Sequence, residues 1–383
     1  MVVWPQMGLL KPFRALRYDA AAAGPLDSLV APPYDVVSPE LRARLLAASP
    51  YNAVRLIRPD EPVDAAETLA AWRAAGVLVR EEQPAVWLLE DAFTGPDGVV
   101  RHRRGLVVRV RLEPYDAGVV LPHEGTFAGP KEARLRLLRA TRTKLSPIFM
   151  IHGGPPPAID GRGSPDLDGT LDGVRTRLWR VDDPAEIESA LALVGSPLLI
   201  ADGHHRYEAA LRFHEEDGSE ETASVLAVVV SMRDDGLVVF PTHRMTEGFV
   251  PGLDADFHLT ALQGGAAEAV ERLGRVPRDR PAFVLLRRDA AVLAEAEPGA
   301  GVLEALDTVA VDRLALDDVT YTASAGEAER AVRSGAATAA FLVRPPTIEQ
   351  VEAVALAGQT MPQKSTYFFP KLTGGFLFAP FDE

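Results

Sequence analysis

The sequence contains no cysteine, which excludes disulfides, thiolate metal sites and cysteine nucleophiles together. Basic residues are also too few for a nucleic-acid surface, because 40 Lys and Arg against 54 Asp and Glu give a formal net charge of -14. The longest charge-free stretch near the middle, residues 222–232, is about half of what a bilayer crossing requires. We therefore expect no nucleic-acid partner, no membrane span, no signal peptide and a location in the reducing cytoplasm.

Lysine is scarce within the basic set, since only five of the 40 basic residues are lysine. Asparagine occurs once and isoleucine seven times, a bias that indicates a GC-rich genome. Where arginine has replaced lysine almost everywhere, each remaining lysine is a candidate for a position that needs an ammonium group. These are Lys11, Lys131, Lys144, Lys364 and Lys371.

Hydrophobic residues make up 47% of the chain, enough for a substantial core. Hydrophobic periods and turn signals predict an α+β fold of mixed sheets, with antiparallel hairpins and flanking helices. One hairpin is expected around Gly95–Gly98 and a second around Asp234–Gly236. Residues 11–18 and 53–57 are predicted to be strands, and residues 261–273 a helix.

Residues 153–173 are rich in Gly, Pro and Asp and are expected to form a surface loop. This loop separates an N-terminal α/β region, 1–152, from a second region, 174–383, which forms either a separate domain or one body with the first. Ser38 and Pro39 are expected to start a helix. Tyr34 and Asp35, on the rigid loop before it, are interpreted as structural.

The strongest polar cluster lies where a hydrophobic strand ends at Asp202. Gly203 permits a tight turn, and a helix is predicted to begin at His204. Free N–H groups and the helix dipole would meet an anion there, and Arg206 adds a charged donor. His204 and His205 diverge by about 100° on a helix, so the pair is not expected to chelate one metal alone. The alternative is a capped helix start without a ligand.

A second cluster precedes a basic helix. A loop carboxylate beside a histidine, here Glu124 beside His123, can act as a general base or bind Mg²⁺. Thr126 and Lys131 are candidate ligand contacts in the same loop. The alternative is a solvated helix face, because arginines at such spacings mostly coat exposed surfaces.

Two more clusters offer contacts for a phosphate. One comprises Thr242, His243 and Arg244, after a predicted strand. The other lies between two prolines near the C-terminus. Its candidate contacts are Gln363, Lys364, Ser365 and Thr366. All four clusters are expected to converge in space, whereas the phosphate loop, nucleophile elbow and HExxH signatures are absent from the sequence.

The segments APPYDVVS, YNAVRLIRP, LPHEGT, PKEARL, TRTKLSPIF, ADGHHRYEAAL, PTHRM and MPQKSTYFFPK resemble, in this order, the domain of unknown function 1015 family of bacteria and archaea. GHHRYEAA is similar to the nucleotide motif of the ParB and sulfiredoxin superfamily, which includes free serine kinases. The resemblance implies a ParB/sulfiredoxin-like core in which Gly203, His204, His205 and Arg206 contact nucleotide phosphates. The label SerC-like, also used for the family, implies pyridoxal phosphate on Lys364, but the layout lacks that fold's pattern.

The leading hypothesis is a nucleotide-dependent phosphotransferase acting on a hydroxyl compound such as an amino acid, with ATP or another nucleotide and Mg²⁺. Glu124 or Asp202 would be the base or Mg²⁺ ligand, and His205 and His243 would stabilise the transferring charge. One alternative is a nucleotide- or phosphate-binding regulatory module without turnover. The other is a metal-dependent phosphoesterase using His123, Glu124, Asp202 and His204 or His205.

Overall fold

The computed structural model describes residues 8–159, 161 and 163–381. The expectation of no signal peptide rests partly on residues 1–7, and that of a surface loop partly on residues 160 and 162. These positions lie outside the described residues. None of the helices in the described ranges combines the length and the apolar composition that crossing a membrane requires.

Helices and strands alternate along the chain. The helices are α1 (Ala20–Ala23), α2 (Pro39–Ala48), α3 (Val54–Ile57), α4 (Pro62–Ala74), α5 (Ala128–Thr141), α6 (Pro184–Ala192), α7 (His204–Asp217), α8 (Ala266–Gly274), α9 (Asp307–Asp312), α10 (Ala325–Ser334) and α11 (Ile348–Leu356). The strands are β1 (Leu10–Lys11), β2 (Leu16–Tyr18), β3 (Leu78–Arg80), β4 (Val86–Thr94), β5 (Val100–Arg111), β6 (Val120–Leu121), β7 (Thr143–Lys144), β8 (Ile148–His152), β9 (Leu167–Leu171), β10 (Val174–Val181), β11 (Leu198–Asp202), β12 (Ser224–Ser231), β13 (Val238–Phe240), β14 (His243–Thr246), β15 (His258–Leu262), β16 (Ala282–Arg287), β17 (Ala290–Glu295), β18 (Val319–Thr322), β19 (Ala339–Leu342), β20 (Tyr367–Phe369) and β21 (Ala379–Pro380).

The described chain forms two compact units. Unit 1 comprises residues 8–121, 126–237 and 370–381, and unit 2 comprises residues 122–125 and 238–369. In the described part of unit 1, β1 joins a mixed sheet with the strand order β6-β11-β8-β12-β5-β4-β10-β9. The pairs β6–β11 and β8–β12 are parallel, and the remaining pairs are antiparallel. The expected α+β fold with mixed sheets is confirmed.

Unit 1 is centred on β12, whose eight residues are all buried. Such a continuous apolar strand is typical of a sheet covered on both faces. Helices α5 and α7 pack together over one face. Their apolar side chains join those of the sheet in one hydrophobic cluster through Leu135, Leu138, Tyr207, Ala210 and Phe213. This packing fixes the start of α7, where the strongest polar cluster was predicted.

Unit 2 is built around an antiparallel sheet with the order β15-β17-β16-β19-β14-β18. Helices α8 and α10 cover one face, where Leu273 and Val332 pack with Val284 and Leu286. The other face carries a second apolar cluster that includes Phe341. Strands β13 and β20 form a separate antiparallel pair. Along the chain, β13 comes just before the Thr242 cluster, and β20 comes just after the Lys364 cluster.

Several local predictions are confirmed. Ser38 caps α2, with its hydroxyl accepting from the Leu41 amide at 3.1 Å and Pro39 in the first turn. The first hairpin is present as β4–β5. The cap and the hairpin turn are each specified by residues within a few positions of one another, so their prediction does not require knowledge of the tertiary packing.

Four predictions of local structure are wrong. Residues 53–57 contain the helix α3, not a strand, because the Asn52 side chain accepts from the Val54 amide and begins a helical turn. Residues 11–18 form two short strands. Residues 261–273 begin in β15 before α8. The second hairpin is absent from the described residues, since β12 pairs with β5 and β8 while β13 pairs with β20.

The Gly/Pro-rich segment 153–173 is only partly a loop. Its last part forms β9, which pairs with β10, and Leu167 there is buried. Pairing with β10 therefore forms a strand in a segment whose Gly, Pro and Asp content predicted only a loop. The whole described part of this segment lies in unit 1.

Candidate functional site

The turn from β11 into α7 requires glycine. Gly203 has a φ of 105°, a conformation that side chains rarely adopt, and a Cβ there would lie 2.9 Å from the Arg206 guanidinium. Helix α7 begins at His204, and its N-cap residue is Gly203, which has no side chain with which to cap it. The positive end of the helix dipole lies at this glycine turn.

A network of charges surrounds Asp202 at the end of β11. One carboxylate oxygen accepts from Arg206 at 2.6 Å, and the other accepts from Lys371 at 2.9 Å. Lys371 also donates to Asp35 at 2.5 Å. Arg206 additionally donates to the Pro147 carbonyl. Two carboxylates and two cations thus alternate within one site.

The network determines the charge of its members. Burial raises the pKa of Asp202, but Lys371 and Arg206 outweigh it and bring the value to about 2. Burial lowers the pKa of Lys371, and the two carboxylates more than reverse this, so that its pKa lies above the ordinary value. Asp202 and Lys371 are therefore both ionised at neutral pH.

An aromatic residue and a further arginine extend the site. The Arg134 guanidinium lies 4.0 Å from the centre of the Tyr34 ring and donates to the Ile57 carbonyl at 2.9 Å. Burial lowers the pKa of Arg134 to about 10 and raises that of Tyr34. Tyr34, Arg134 and Arg206 all line a cavity of about 60 Å³ in unit 1.

On its exposed side, α7 contacts two of the predicted site residues, Thr126 in the loop before α5 and Lys131 in α5. Thr126 donates to Glu208 at 2.8 Å, and Lys131 lies 2.9 Å from the same carboxylate. The Phe127 amide donates to Nε2 of His205 at 3.0 Å. Because that nitrogen already accepts a hydrogen bond and burial lowers the pKa of His205, the ring is suited to positioning the loop in its neutral form.

Lys131 and Glu208 also line an open pocket of about 440 Å³ between α5 and α7. Leu135 and Leu211 supply apolar surface there, and Arg212 supplies a further cation. The pocket is large enough for a small-molecule ligand.

Two of the predicted clusters meet inside unit 2. His123 is buried, and its Nε2 lies 2.8 Å from the Thr366 hydroxyl. The Met361 amide donates to the His123 carbonyl, and Glu124 forms a backbone bridge with Met361. Gln363 donates to the Gly125 carbonyl at 3.2 Å. Backbone pairing therefore holds the His123–Glu124 loop against the C-terminal cluster.

The Thr242 cluster joins the same unit. The Thr242 hydroxyl donates to the carbonyl of Lys364, whose φ of 59° is left-handed. Arg244 donates to the Thr242 carbonyl at 2.7 Å. The Ser365 hydroxyl is buried and has no hydrogen-bond partner within the described residues. Burial lowers the pKa of His243 to about 4, so this ring is neutral at pH 7.

The predicted site residues therefore fall into two sets. Unit 1 contains Thr126, Lys131, Asp202, Gly203, His204, His205 and Arg206, and unit 2 contains His123, Glu124, Thr242, His243, Arg244, Gln363, Lys364, Ser365 and Thr366. Contacts are found among members within each set. The convergence of all four clusters stays a prediction.

No group of three or more His, Asp or Glu side chains in the described ranges is arranged to hold a metal ion. Mg²⁺ differs from zinc in this respect, since it is commonly held by one or two carboxylates together with substrate phosphates. Asp202 can supply such a carboxylate within unit 1, and Glu124 can supply one within unit 2.

Four residues of the unit 1 site were not among the predicted site residues: Tyr34, Asp35, Arg134 and Lys371. Asp35 was interpreted as structural, yet it shares Lys371 with Asp202. The available signal was the scarcity of lysine, which marked Lys371. Its partners could not be predicted, because Asp202 lies 169 residues away and Asp35 lies 336 residues away.

Comparisons with solved structures give distant similarities. A free serine kinase variant in complex with AMP has 17% identity and a TM-score of 0.40, covering 68% of this chain and 86% of its own. A conserved hypothetical protein from Pyrococcus furiosus has 15% identity and a TM-score of 0.38, covering 68% and 89%. SbnI with a C-terminal truncation, from Staphylococcus aureus, has 13% identity and a TM-score of 0.35, covering 68% and 84%.

The search of curated proteins gives no match to the chain. The family model described as protein of unknown function (DUF1015) matches residues 10–310, which is more than half of the 383 residues. The match includes the motifs of the resemblance from APPYDVVS to PTHRM, whereas MPQKSTYFFPK, at 361–371, lies beyond the matched residues. The chain belongs to the DUF1015 family.

Proposed function

We propose that the protein is a nucleotide-dependent phosphotransferase that acts on a hydroxyl compound such as an amino acid. The observation that carries the proposal is the turn from Asp202 to Arg206. There the start of α7, whose N-cap residue is a glycine, lies beside the Arg206 guanidinium, which is ion-paired with Asp202. Backbone N–H groups, a helix dipole and a guanidinium together form a recurrent arrangement for binding phosphate.

The charges support distinct roles for the residues. Gly203 lets the backbone approach a phosphate, and Arg206 and Lys371 offset its charge. Asp202 has a pKa of about 2, which makes it a weak base but a permanently ionised ligand for Mg²⁺. Of the two predicted bases, Glu124 is therefore the better candidate. Phosphoryl transfer depends mainly on positioning and electrostatics, so a strong base is not required.

A nucleotide- or phosphate-binding module without turnover is the second candidate. It is favoured by the state of Asp202, since each of its carboxylate oxygens already accepts from a cation. A carboxylate held in this way can form a rigid binding site without taking part in chemistry. The two candidates differ in turnover and share the same phosphate site.

The phosphate site is tested by thermal shift with ATP, ADP, CTP and GTP, each with and without Mg²⁺. A nucleotide at 100 times its dissociation constant adds about 2.7 kcal/mol, which raises the melting temperature by a few degrees. Arg206→Ala should abolish the shift. Arg175→Ala is the matched control, because Arg175 lies on β10 of the same unit, with its side chain 55% exposed and paired with Asp168. Equal shifts in both variants would contradict this site.

Turnover separates the two candidates. A phosphotransferase should consume the stabilising nucleotide only when a hydroxyl amino acid is present, with a phosphorylated product detectable by mass spectrometry. Glu124→Gln should reduce this rate by about 10²–10⁴-fold if Glu124 is the general base. Nucleotide binding without consumption, across a panel of hydroxyl compounds, would instead establish the binding module.

A further inference from the structure

Phe127 has an exposed aromatic ring close to the start of α7. The residue is 58% exposed. In the described part of unit 1 it is the one aromatic among the large exposed apolar residues, and the others are Val36, Val63, Val99 and Val100. Single exposed aliphatic residues are common on protein surfaces, whereas an aromatic ring left in water forgoes a large apolar burial. The position of this ring therefore calls for a functional explanation.

The backbone that bears the ring is held against α7. The Phe127 amide donates to Nε2 of His205 at 3.0 Å, and the hydroxyl of the preceding residue, Thr126, donates to Glu208 at 2.8 Å. Phe127 is also the N-cap residue of α5, with an extended backbone at φ −102° and ψ 151°. A ring on a backbone that is already fixed loses little conformational freedom when a ligand packs against it.

His205 connects the ring to the charged network at the end of β11. Burial lowers the pKa of His205, and the nearby carboxylates of Asp35 and Asp202 act in the opposite direction. The path from Nε2 of His205 to the Phe127 ring consists of one hydrogen bond of 3.0 Å, one N–Cα bond and one side chain. In any rotamer, the ring centre therefore lies within about 8 Å of that nitrogen.

This distance suits a nucleotide whose phosphates bind at the turn from Asp202 to Arg206. The base and the terminal phosphate of a nucleoside triphosphate are farther apart than this, so one molecule can reach both places. A base is planar and stacks on an aromatic side chain, and every base offers a π-face. The alternative is a surface ring without a ligand, which predicts that its removal leaves binding unchanged.

We propose that the base of the bound nucleotide stacks on Phe127. The proposal rests on the proposed phosphate site and adds to it a preference for nucleotides over inorganic polyphosphates. Phe127 is a binding residue and takes no part in phosphoryl transfer. Because stacking does not read the edges of a base, the affinities of ATP, GTP and CTP should differ less from one another than each differs from that of tripolyphosphate.

The test compares these nucleotides with tripolyphosphate, which has three phosphates without the base and the ribose. Titration calorimetry of the full chain, with Mg²⁺ present, measures each dissociation constant. Phe127→Ala should weaken the tightest nucleotide by about 5–150-fold and tripolyphosphate by less than about twofold. Phe127→Leu keeps the apolar bulk without the ring and should lose most of the same affinity, whereas Phe127→Trp should retain it.

Val100→Ala is the matched control, because Val100 lies on β5 of the same unit and is 66% exposed. This variant should bind every ligand as the wild type does. The melting temperature of each ligand-free variant verifies that it is folded. A loss of nucleotide affinity in Val100→Ala equal to that in Phe127→Ala would overturn the assignment to the Phe127 ring.

The fluorescence of Phe127→Trp gives a direct readout of stacking. Measured as a difference from the wild type, which has four tryptophans, it should be quenched by nucleotide and unaffected by tripolyphosphate. Unchanged nucleotide affinity in Phe127→Ala, or equal wild-type affinities for nucleotide and tripolyphosphate, would overturn the stacking and leave the phosphate site standing. If the wild type bound neither ligand, the phosphate site and the stacking would both be overturned.

Discussion

Lys371 and Lys144 are two lysines of unit 1 with opposite surroundings. Lys371 lies between Asp35 and Asp202, and its pKa is raised despite burial. Lys144 has an aromatic ring and Arg109 nearby, and its pKa is lowered. Burial acts in the same direction on both amines, so the carboxylates account for the difference. The same residue type therefore has a raised pKa in one region and a lowered pKa in the other.

Replacing each lysine by methionine, which keeps an unbranched side chain as far as Cε and removes the amine, should change stability in opposite directions. Lys371→Met leaves two carboxylates without their shared cation and should lower the free energy of unfolding by about 2–3 kcal/mol. This is below the cost of breaking a fully buried pair, because Lys371 and Asp202 remain 19% and 23% exposed. Urea denaturation at pH 7 measures the change.

Lys11→Met is the matched control for this loss. Lys11 pairs at 3.6 Å with Glu220, whose side chain is 79% exposed, and such a pair contributes little. We expect its removal to change the free energy of unfolding by less than about 1 kcal/mol. Equal losses in the Lys371 and Lys11 variants would show that the Asp202 network does not stabilise the fold.

Lys144→Met should raise the free energy of unfolding by about 1–3 kcal/mol at pH 7, because it removes a buried, unpaired polar group. The gain should depend on pH in a defined direction. Between the lowered pKa of the folded state and the unfolded pKa of about 10.4, the unfolded chain binds a proton that native Lys144 does not. Wild-type stability, relative to the variant, therefore rises with pH in this window, by at most about 1.4 kcal/mol per unit.

The measurement is parallel urea denaturation of wild type and Lys144→Met at pH 7 and pH 9. Taking the difference between the two proteins removes the contribution of other titrating groups. A constant difference over this range would mean that the native amine keeps its proton. A loss of stability in the variant would mean that the amine has a stabilising partner.

Lys131→Met gives the smallest expected effect. Lys131 is 37% exposed, and its partner Glu208 keeps a hydrogen bond from Thr126 after the substitution. The free energy of unfolding should fall by less than about 1 kcal/mol, and the difference should shrink further in 0.5 M salt through screening, at roughly a 4 Å Debye length. A larger loss that persists in salt would mean that the Lys131 ion pair, like that of Lys371, stabilises the fold and is shielded from solvent.

The features predicted from the sequence are those with short-range causes. The strand, the glycine turn and the helix start at Asp202–His204 were predicted because a strand end, a left-handed glycine and a helix beginning are specified within a few residues. The first hairpin was predicted from the Gly95–Gly98 turn for the same reason.

The features that sequence reasoning missed depend on distant partners. The turn at Asp234–Gly236 resembles a hairpin, but β12 is drawn between β5 and β8, and Gly236 lies against the backbone of His102. The helix α3 depends on the buried Asn52, the one asparagine in the chain, whose side chain begins the turn. Likewise, the sequence near Lys144 does not reveal which side chains surround its amine in the fold, or that they include no carboxylate among the described residues.

The segment 370–381, which returns to unit 1 after the whole of unit 2, has a consequence for biosynthesis. Asp35 leaves the ribosome 336 residues before Lys371, and Asp202 leaves it 169 residues before. At about 5–20 residues per second, Asp35 waits roughly 20–70 s for its cation. Phe381, which lies over the Lys144 amine, follows later still. Until then both acids and Lys144 lack these partners, so the two chemically opposite lysine environments are completed by one short segment, 370–381.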